Sequence, residues 1–420
     1  MRRLTSVTLF WASAALPVGL AAAQVAPAPQ SVPPAAAVQA EPLAPLPPPP
    51  PPPPPLWDPR DAQELLGFIQ QLGGEGLDPA DYDPAGLFAA LRSGDPLILA
   101  REASDRFNRV SSDLALGHVR GKSRQDWHIP DPDLDNGRQD QLLRAAVAQH
   151  SISATLRGLL PTHPQYRDLK NALSITPRSE VAKSNRIRLN MDRWRWLPRD
   201  LGSKYVIVNV PAYYVALVEN GTTRWRQRAI AGAIKTPTPM LTATATGVIL
   251  NPWWEVPKSI EPEVRGKAGY VAVKGKDGKV QRWRQPPGPA NALGDVKFVM
   301  PNSKAIFLHD TNTRSRFNSD IRSLSHGCIR TQNILDLSTE LLADDGGEWT
   351  RDKIDSTLAS KKTVQASFVK PLPVYIVYFS SAAATDGRII NYSDIYNRDG
   401  KVLAALLDKQ GTGGSQVATR

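Results

Sequence analysis

The chain has one cysteine, Cys328, in Ser325-His326-Gly327-Cys328-Ile329-Arg330, which follows Ile306-Phe307-Leu308-His309-Asp310-Thr311 across a polar loop. A thiol attacks a carbonyl only as thiolate, and an ordinary pKa of ~8.5 leaves a few per cent ionised at neutral pH. It therefore needs a base and nearby positive charge. His309 and His326 are the candidate bases, and Arg330 supplies charge. If 325–330 runs extended, His326, Cys328 and Arg330 share one face by period two, and Gly327 lets a substrate carbonyl approach the backbone. The N–H groups around Gly327 and Cys328 can then form an oxyanion hole, with Ser325 and His326 shaping it. His309 ends its own strand candidate and can reach the thiol from a neighbouring strand, held in one tautomer by Asp310 or by a backbone carbonyl. The chemistry such a set suits is attack of a thiolate on a carbonyl carbon.

Two other readings use the same residues. A lone cysteine can be a small buried hydrophobe, and His309, Asp310, His326 and Cys328 together could hold zinc. A free thiol in an exported protein risks oxidation, which favours a chemical reason for keeping it. No Gly-x-Ser-x-Gly, phosphate loop or dinucleotide fingerprint competes, and neither cofactor nor metal is expected.

The elements that position this cluster lie in the second half of the chain. Tyr205 to Val210 and Tyr213 to Val218 are strand candidates, with Glu219-Asn220-Gly221 as a hairpin turn. Further strands are expected at Thr246 to Asn251, Ala305 to His309 and Val374 to Phe379, and helices only at Asn333 to Leu342 and Thr350 to Leu358. Between Asp61 and Ser174 apolar residues recur at helical spacing (Leu65, Leu66, Ile69, Leu72), punctuated by Gly-Gly, Asp-Pro and Pro-Asp breaks. The fold class is α+β: a helical module at 57–180, then a mainly β domain at 181–410.

The 420 residues allow two or three domains, and one cysteine excludes a disulfide framework or a multi-cysteine metal site. Arg2, Arg3, the apolar stretch Leu4 to Leu20 and Ala21-Ala22-Ala23 form an export signal at 1–23, with an uncleaved anchor as the alternative. Residues 24–56, ending in Pro47 to Pro55, form a stiff polyproline II spacer. No later segment is apolar enough to span a membrane. Arg178 to Lys235 holds twelve basic residues against four acidic ones, interleaved with Trp194, Trp196 and Trp225. Export argues against nucleic acid, leaving a carboxylate-bearing extracellular polymer or a solvated basic face.

The cysteine and histidine motifs resemble the signature of the L,D-transpeptidases, whose YkuD-type domain is β-rich and acts on peptidoglycan. Asp192 to Pro198, Asn251-Pro252-Trp253-Trp254-Glu255-Val256-Pro257, Pro287 to Gly294 and Asp394-Ile395-Tyr396 place it near the YcbB-like subgroup, and Leu160 to Tyr166 looks like that subgroup's scaffold domain. The resemblance implies a periplasmic enzyme of cell-wall biogenesis acting on peptidoglycan stem peptides, with other wall-synthesis proteins as partners. Cys328 would be the nucleophile, His309 the base, His326 and Gly327 would shape the oxyanion hole, and Arg330 would meet a substrate carboxylate or brace the loop. It also implies a lid at about 258–285, whereas Trp253 and Trp254 read as core and corner residues rather than sugar platforms. The peptidoglycan-binding helical module of many members has no counterpart; only Ile175 to Asn185 joins the two halves. The bond opened in the donor stem would follow the third residue or the first L-Ala. The competing functions are a zinc-dependent or hydrolytic wall peptidase and an inactive wall-binding scaffold.

Overall fold

The computed structural model describes residues 52–408 apart from 345, 347 and 385. The export signal, nearly all of the proline-rich spacer and the last residues of the second domain lie outside the described residues. From residue 53 onward the described residues belong to one compact unit.

The Asp-Pro pairs start helices as well as interrupt them. Proline at the first helical position has no N–H to lose, and the preceding aspartate accepts from the next free donors. Asp58 accepts from Arg60 N, Asp83 from Gly86 N, and Asp95 from Leu97 N and Ile98 N. They begin α1 (Pro59–Gln70), α2 (Pro84–Ser93) and α3 (Pro96–Leu116). With α4 (Asn136–Ala148) and α5 (Ile152–Arg157), these helices close on a core that includes Leu65, Ile69, Phe107, Leu143 and Leu156.

Helix α6 (Pro164–Ile175) and helix α7 (Val181–Trp194) connect this bundle to the sheet. Periodicity misses α7 because it buries Asn190, Asp192 and Arg193 beside Ile187, Leu189 and Met191. The basic stretch is thus not wholly a solvated face: Arg193 and Arg195 are buried. Asp192, fully buried, accepts from His118 N at 2.7 Å, Val119 N at 3.1 Å and Trp196 Nε1 at 2.9 Å, and faces Arg195 at 3.5 Å. Arg195 in turn donates to Tyr166 Oη at 2.7 Å and to the Glu75 carbonyl. Asp192→Ala strands three donors and a buried charge, and is expected to cost on the order of 3–5 kcal/mol, read as a lowered denaturant midpoint. A loss below ~1 kcal/mol would mean that water replaces the carboxylate.

The strands are β1 (Trp127–His128), β2 (Lys204–Asn209), β3 (Tyr214–Glu219), β4 (Thr222–Gly232), β5 (Met240–Leu250), β6 (Trp254–Glu255), β7 (Val271–Lys274), β8 (Val280–Gln285), β9 (Val296–Val299), β10 (Leu308–His309), β11 (Ser323–Ser325), β12 (Ile329–Thr331), β13 (Val364–Val377), β14 (Ser381–Ala383) and β15 (Ile389–Asn391), the last two paired with each other. The main sheet runs β1-β5-β13-β2-β3-β4-β12-β10-β9, and β9 pairs again with β5, so the path from β5 closes into a barrel. Asn220 and Gly221 both have positive φ, 49° and 75°, which suits the tight turn between β3 and β4. The strand expected from Ala305 shrinks to Leu308–His309. Asn302 folds the preceding loop instead: its Nδ2 donates to Met300 O and Ile306 O, and its Oδ1 accepts from Lys304 N and Ile306 N.

Alternation sorts the two faces of the barrel. Val206, Val208, Val215, Leu217, Phe298, Leu308 and Ile329 fill the interior. Outside, Tyr205, Ile207, Ala216, Tyr375 and Val377 pack beneath Leu169, Ile187, Met191 and Trp194 of α6 and α7. Farther round, the outer face of β4, β12, β10 and β9 carries Arg228, Arg330, His309 and Lys297 at the positions set by register.

A second sheet, β6-β8-β7, stands apart with helix α8 (Glu261–Val264). Val256, Ile260 and Val264 pack there with Trp254, Tyr270 and Trp283, while Trp253 lies under Arg284 at 4.1 Å. The later helices are α9 (Ile334–Asp344), α10 (Arg351–Ala359) and α11 (Asp399–Leu407); α8 and α11 fall outside the sequence expectation. Among the described residues no helix is long and apolar enough to cross a membrane.

Candidate active site

Parallel pairing of β10 with β12 sets Leu308 against Ile329 and His309 against Arg330. Leu308 and Ile329 point into the core, so His309 and Arg330 belong to the opposite face. Phe307 and Cys328, just ahead of the two strands, pack against the edge of the core and reach Lys297 on that face. Antiparallel pairing of β9 puts Lys297 opposite His309 on that face. His309 stands opposite Arg330, and Cys328 lies two residues before Arg330, just ahead of β12, so register brings the two near one another.

The loop between β11 and β12 is bent rather than extended. Gly327 has φ 115°, a conformation that a side chain resists, and it breaks the period-two relation expected from His326 to Arg330. Ser325, buried, holds the bend: its hydroxyl donates to Cys328 O at 2.5 Å and accepts from Gly327 N at 3.1 Å. The Gly327 N–H is therefore committed and is not a free oxyanion donor. The hydrogen bonds among the described residues give Cys328 N–H no protein partner, which leaves it available.

The turn after β4 grips the same loop. Thr238 Oγ1 donates to Gly327 O at 2.7 Å and accepts from Gly232 N at 2.9 Å. Thr238 N donates to Tyr396 Oη at 3.1 Å, and Tyr396 Oη donates to Gly232 O at 2.6 Å. Sequence reasoning missed Thr238 and this role of Tyr396, because nothing in local spacing ties either to residue 327.

His326 turns away from the thiol. It is largely exposed, and its Nε2 meets Glu263 Oε1 of α8 at 3.1 Å, joining the bend to the small second sheet. Asp310 does not orient the His309 ring with its carboxylate. That carboxylate accepts from Asp295 N at 3.0 Å and from Arg314, and it packs against Gly294, where a Cβ would lie 2.4 Å from Asp310 Oδ2. Its part is to shape the loop beside β10. The backbone carbonyl of Asp310 is the group that acts on the ring, favouring its protonated form. Given these partners, His309, Asp310, His326 and Cys328 do not converge as zinc ligands. Among the described residues no three of His, Cys, Asp or Glu gather as a metal site.

Cys328 is half-buried, with Sγ 3.7 Å from Ala305 O. Burial pushes its thiol up to about 11, against the opposing pull of the Phe307 backbone, Lys297 and Arg330. His309 is buried, its Nδ1 without a hydrogen bond, and is pushed down to about 3, first by burial and then by the charges of Arg330 and Lys297. Both groups are thus neutral at pH 7. Lys297, which lies over the Phe307 ring at 4.1 Å, is a second site residue that sequence reasoning missed. It sits on a separate strand with no motif around it, and only the pairing of β9 with β10 brings it in. Arg330 is half-buried, and its Nε has no hydrogen-bond partner.

Residues 203–355 match the family model of the L,D-transpeptidase catalytic domain, YkuD, and residues 53–173 match that of the Scaffold domain. A Haemophilus influenzae protein provisionally named an L,D-transpeptidase is 29% identical over 292 residues, which cover 63% of this chain and 58% of that protein. The chain thus spans less than two thirds of the relative's length. An Enterococcus faecium L,D-transpeptidase structure matches at 11% identity over 43% of this chain and 52% of that one, with a TM-score of 0.24. For a Mycobacterium smegmatis L,D-transpeptidase the values are 12%, 42%, 58% and 0.21.

Proposed function

Since the chain carries a YkuD L,D-transpeptidase catalytic domain behind a Scaffold domain, we propose that it is an exported enzyme that cross-links peptidoglycan stem peptides through a thioester on Cys328. The observation that carries this reading is the shared outer face: register brings the thiol near His309, and Lys297 and Arg330 act on both.

Because both partners are neutral at rest, attack and proton transfer go together. As Sγ bonds to the carbonyl carbon after an L-centre of the donor stem, His309 takes the thiol proton. The developing oxyanion accepts from Cys328 N–H. Collapse expels the next residue as an amine, which takes the proton back from His309 and leaves a thioester. An amine of a second stem, with meso-diaminopimelate as the expected source, then attacks the thioester carbon; the new amide forms and the thiol is restored. Lys297 and Arg330 favour sulfur's transient negative charge. The small second sheet, tethered by His326 and Glu263, acts as a lid that excludes water and favours the amine over hydrolysis. Export to the periplasm is supported by the leader at 1–23.

The test is mass analysis of muropeptides after purified enzyme acts on isolated wall material. New cross-linked dimers, each short of the residues released from the donor stem, are expected, and the dimer mass names the bond opened. Shortened monomers alone would make the protein a hydrolytic peptidase, unchanged muropeptides a binding scaffold. Loss of activity to a chelator would revive zinc.

A further inference from the structure

The face that Cys328 borders extends beyond it. β12 pairs with β4 so that Arg330 opposes Ile230, and Gln332 N donates to Arg228 O at 3.0 Å. Alternation puts Arg330 and Gln332, just after Cys328, on the face that carries Arg226 and Arg228. At its far end Tyr213, Tyr214, Arg226, Arg228, Arg322 and Gln332 help line a cleft of about 660 Å³.

Three guanidiniums meet there, and among the described residues no carboxylate lines the cleft with them, although Asp320 acts on Arg322 from nearby. Arg228 donates only to neutral oxygens, Phe317 O at 3.3 Å and Asn318 Oδ1 at 2.7 Å. Arg322 donates to Ala229 O at 3.3 Å and Ser319 O at 2.8 Å, and lies over the Tyr213 ring at 5.1 Å. Arg226 lies over the Tyr214 ring at 4.0 Å. None of the three is in an ion pair among the described residues, although most arginines of the helical half are paired. Burial, and then the charge of Arg228, hold Arg322 below its ordinary value, as expected for cations that repel one another. The hydroxyl of Tyr213, a residue 7% exposed, is buried without a hydrogen-bond partner.

Three like charges gathered in a concave site, with one nearby carboxylate and no ion pair to any of them among the described residues, are matched by an anion brought from outside. Guanidinium forks suit a planar carboxylate, which they bind in pairs of charge-assisted hydrogen bonds. We infer that this cleft is a carboxylate-binding subsite, in which Arg226, Arg228 and Arg322 hold a carboxylate of the peptide that is processed at Cys328. The inference rests on the transpeptidase reading for the identity of the peptide, but not for the anion.

Titration of a stem tetrapeptide into the full chain carrying Cys328→Ala measures binding without turnover. The free-acid peptide is expected to bind about tenfold or more tightly than the same peptide with its carboxylates amidated. Arg226→Gln together with Arg228→Gln should bring that ratio near one, and the corresponding lysine pair should restore part of it, with the unfolding midpoint reporting that each variant is folded. Equal binding of acid and amide overturns the inference, as does an undiminished ratio in the glutamine pair or no measurable binding of either peptide. Inorganic phosphate competing below 1 mM, while acid and amide bind alike, would reassign the cleft to a phosphate. The wall cross-linking assay on the unaltered enzyme is independent: dimers without acid preference sink the subsite alone, and acid preference without dimers sinks the transpeptidase reading alone.

Discussion

Cys328→Ala is expected to end cross-linking altogether while the protein stays folded. The thiol's polar contacts are with backbone, a weak approach to Ala305 O at 3.7 Å and the Phe307 backbone, so its loss removes little packing. The bend it sits on is held by Ser325, Gly327 and Thr238, none of which needs the sulfur. Chemistry without it has no covalent route, because the remaining groups can bind the donor stem but cannot hold its acyl fragment while an amine arrives. Cys328→Ser should fare little better: a hydroxyl is a far weaker acid and nucleophile than a thiol, and the ester it would form resists the amine that a thioester admits. Intact mass of the unaltered enzyme mixed with donor peptide should show the acyl adduct, and neither variant should. An unfolding midpoint within about a degree of the parent is the expected companion result. Cross-linking by the alanine variant above ~0.1% of the parent rate would mean that the sulfur is not the carrier.

Much of this site can be read from local sequence, and what cannot be read has a physical cause. Ser325 to Arg330 and His309-Asp310 lie in two short runs, so the side-chain types that suggest the proposed chemistry sit close together in the sequence. The Asn220-Gly221 turn and the runs at Tyr205 and Tyr214 are legible because positive φ and β-branching leave marks at single positions. Period two from His326 to Arg330 fails for the same local reason: Gly327 takes φ 115°, and the chain bends.

Long-range features left no such mark. Lys297 joins the site only because β9 pairs with both β10 and β5, a consequence of barrel closure. Thr238 reaches Gly327 across 89 residues of chain, and His326 reaches Glu263 across 63. Helix α7 hid because its buried side is rich in polar groups, several of them held by partners far off in sequence, as Asn190 is by Ser380 and Arg193 by Asp399. An apolar pattern finds cores made of hydrocarbon, and that interface is not one. The same limit explains the arginines of the basic stretch, since composition cannot separate buried Arg195 from Arg226 at an open cleft.

His309→Ala is expected to lower kcat/KM for the donor peptide by ~10² to 10⁴, the usual worth of one positioned base, whereas His326→Ala should cost less than about tenfold. The difference follows from where the rings lie. His309 is buried near Cys328 and makes no hydrogen bond through Nδ1, so its lone pair is not otherwise engaged. His326 is turned to Glu263, and its loss loosens the lid rather than removing a base. The pH dependence separates a neutral pair from a preformed thiolate. With the thiol raised to about 11, the thiolate fraction at pH 7 is about one in 10⁴ and grows tenfold per unit of pH. Alkylation of the free enzyme by iodoacetamide should therefore climb steadily from pH 6 to 10, with no step near 6.5, because His309, lowered to about 3, does not titrate there. His309→Ala should leave the slope of that climb in place and still abolish most acylation by peptide, since the base matters when the proton must leave as the carbonyl is attacked. An alkylation rate flat between pH 5 and 8 would instead require an imidazolium–thiolate pair at rest. Equal losses at the two histidines would move the base to His326.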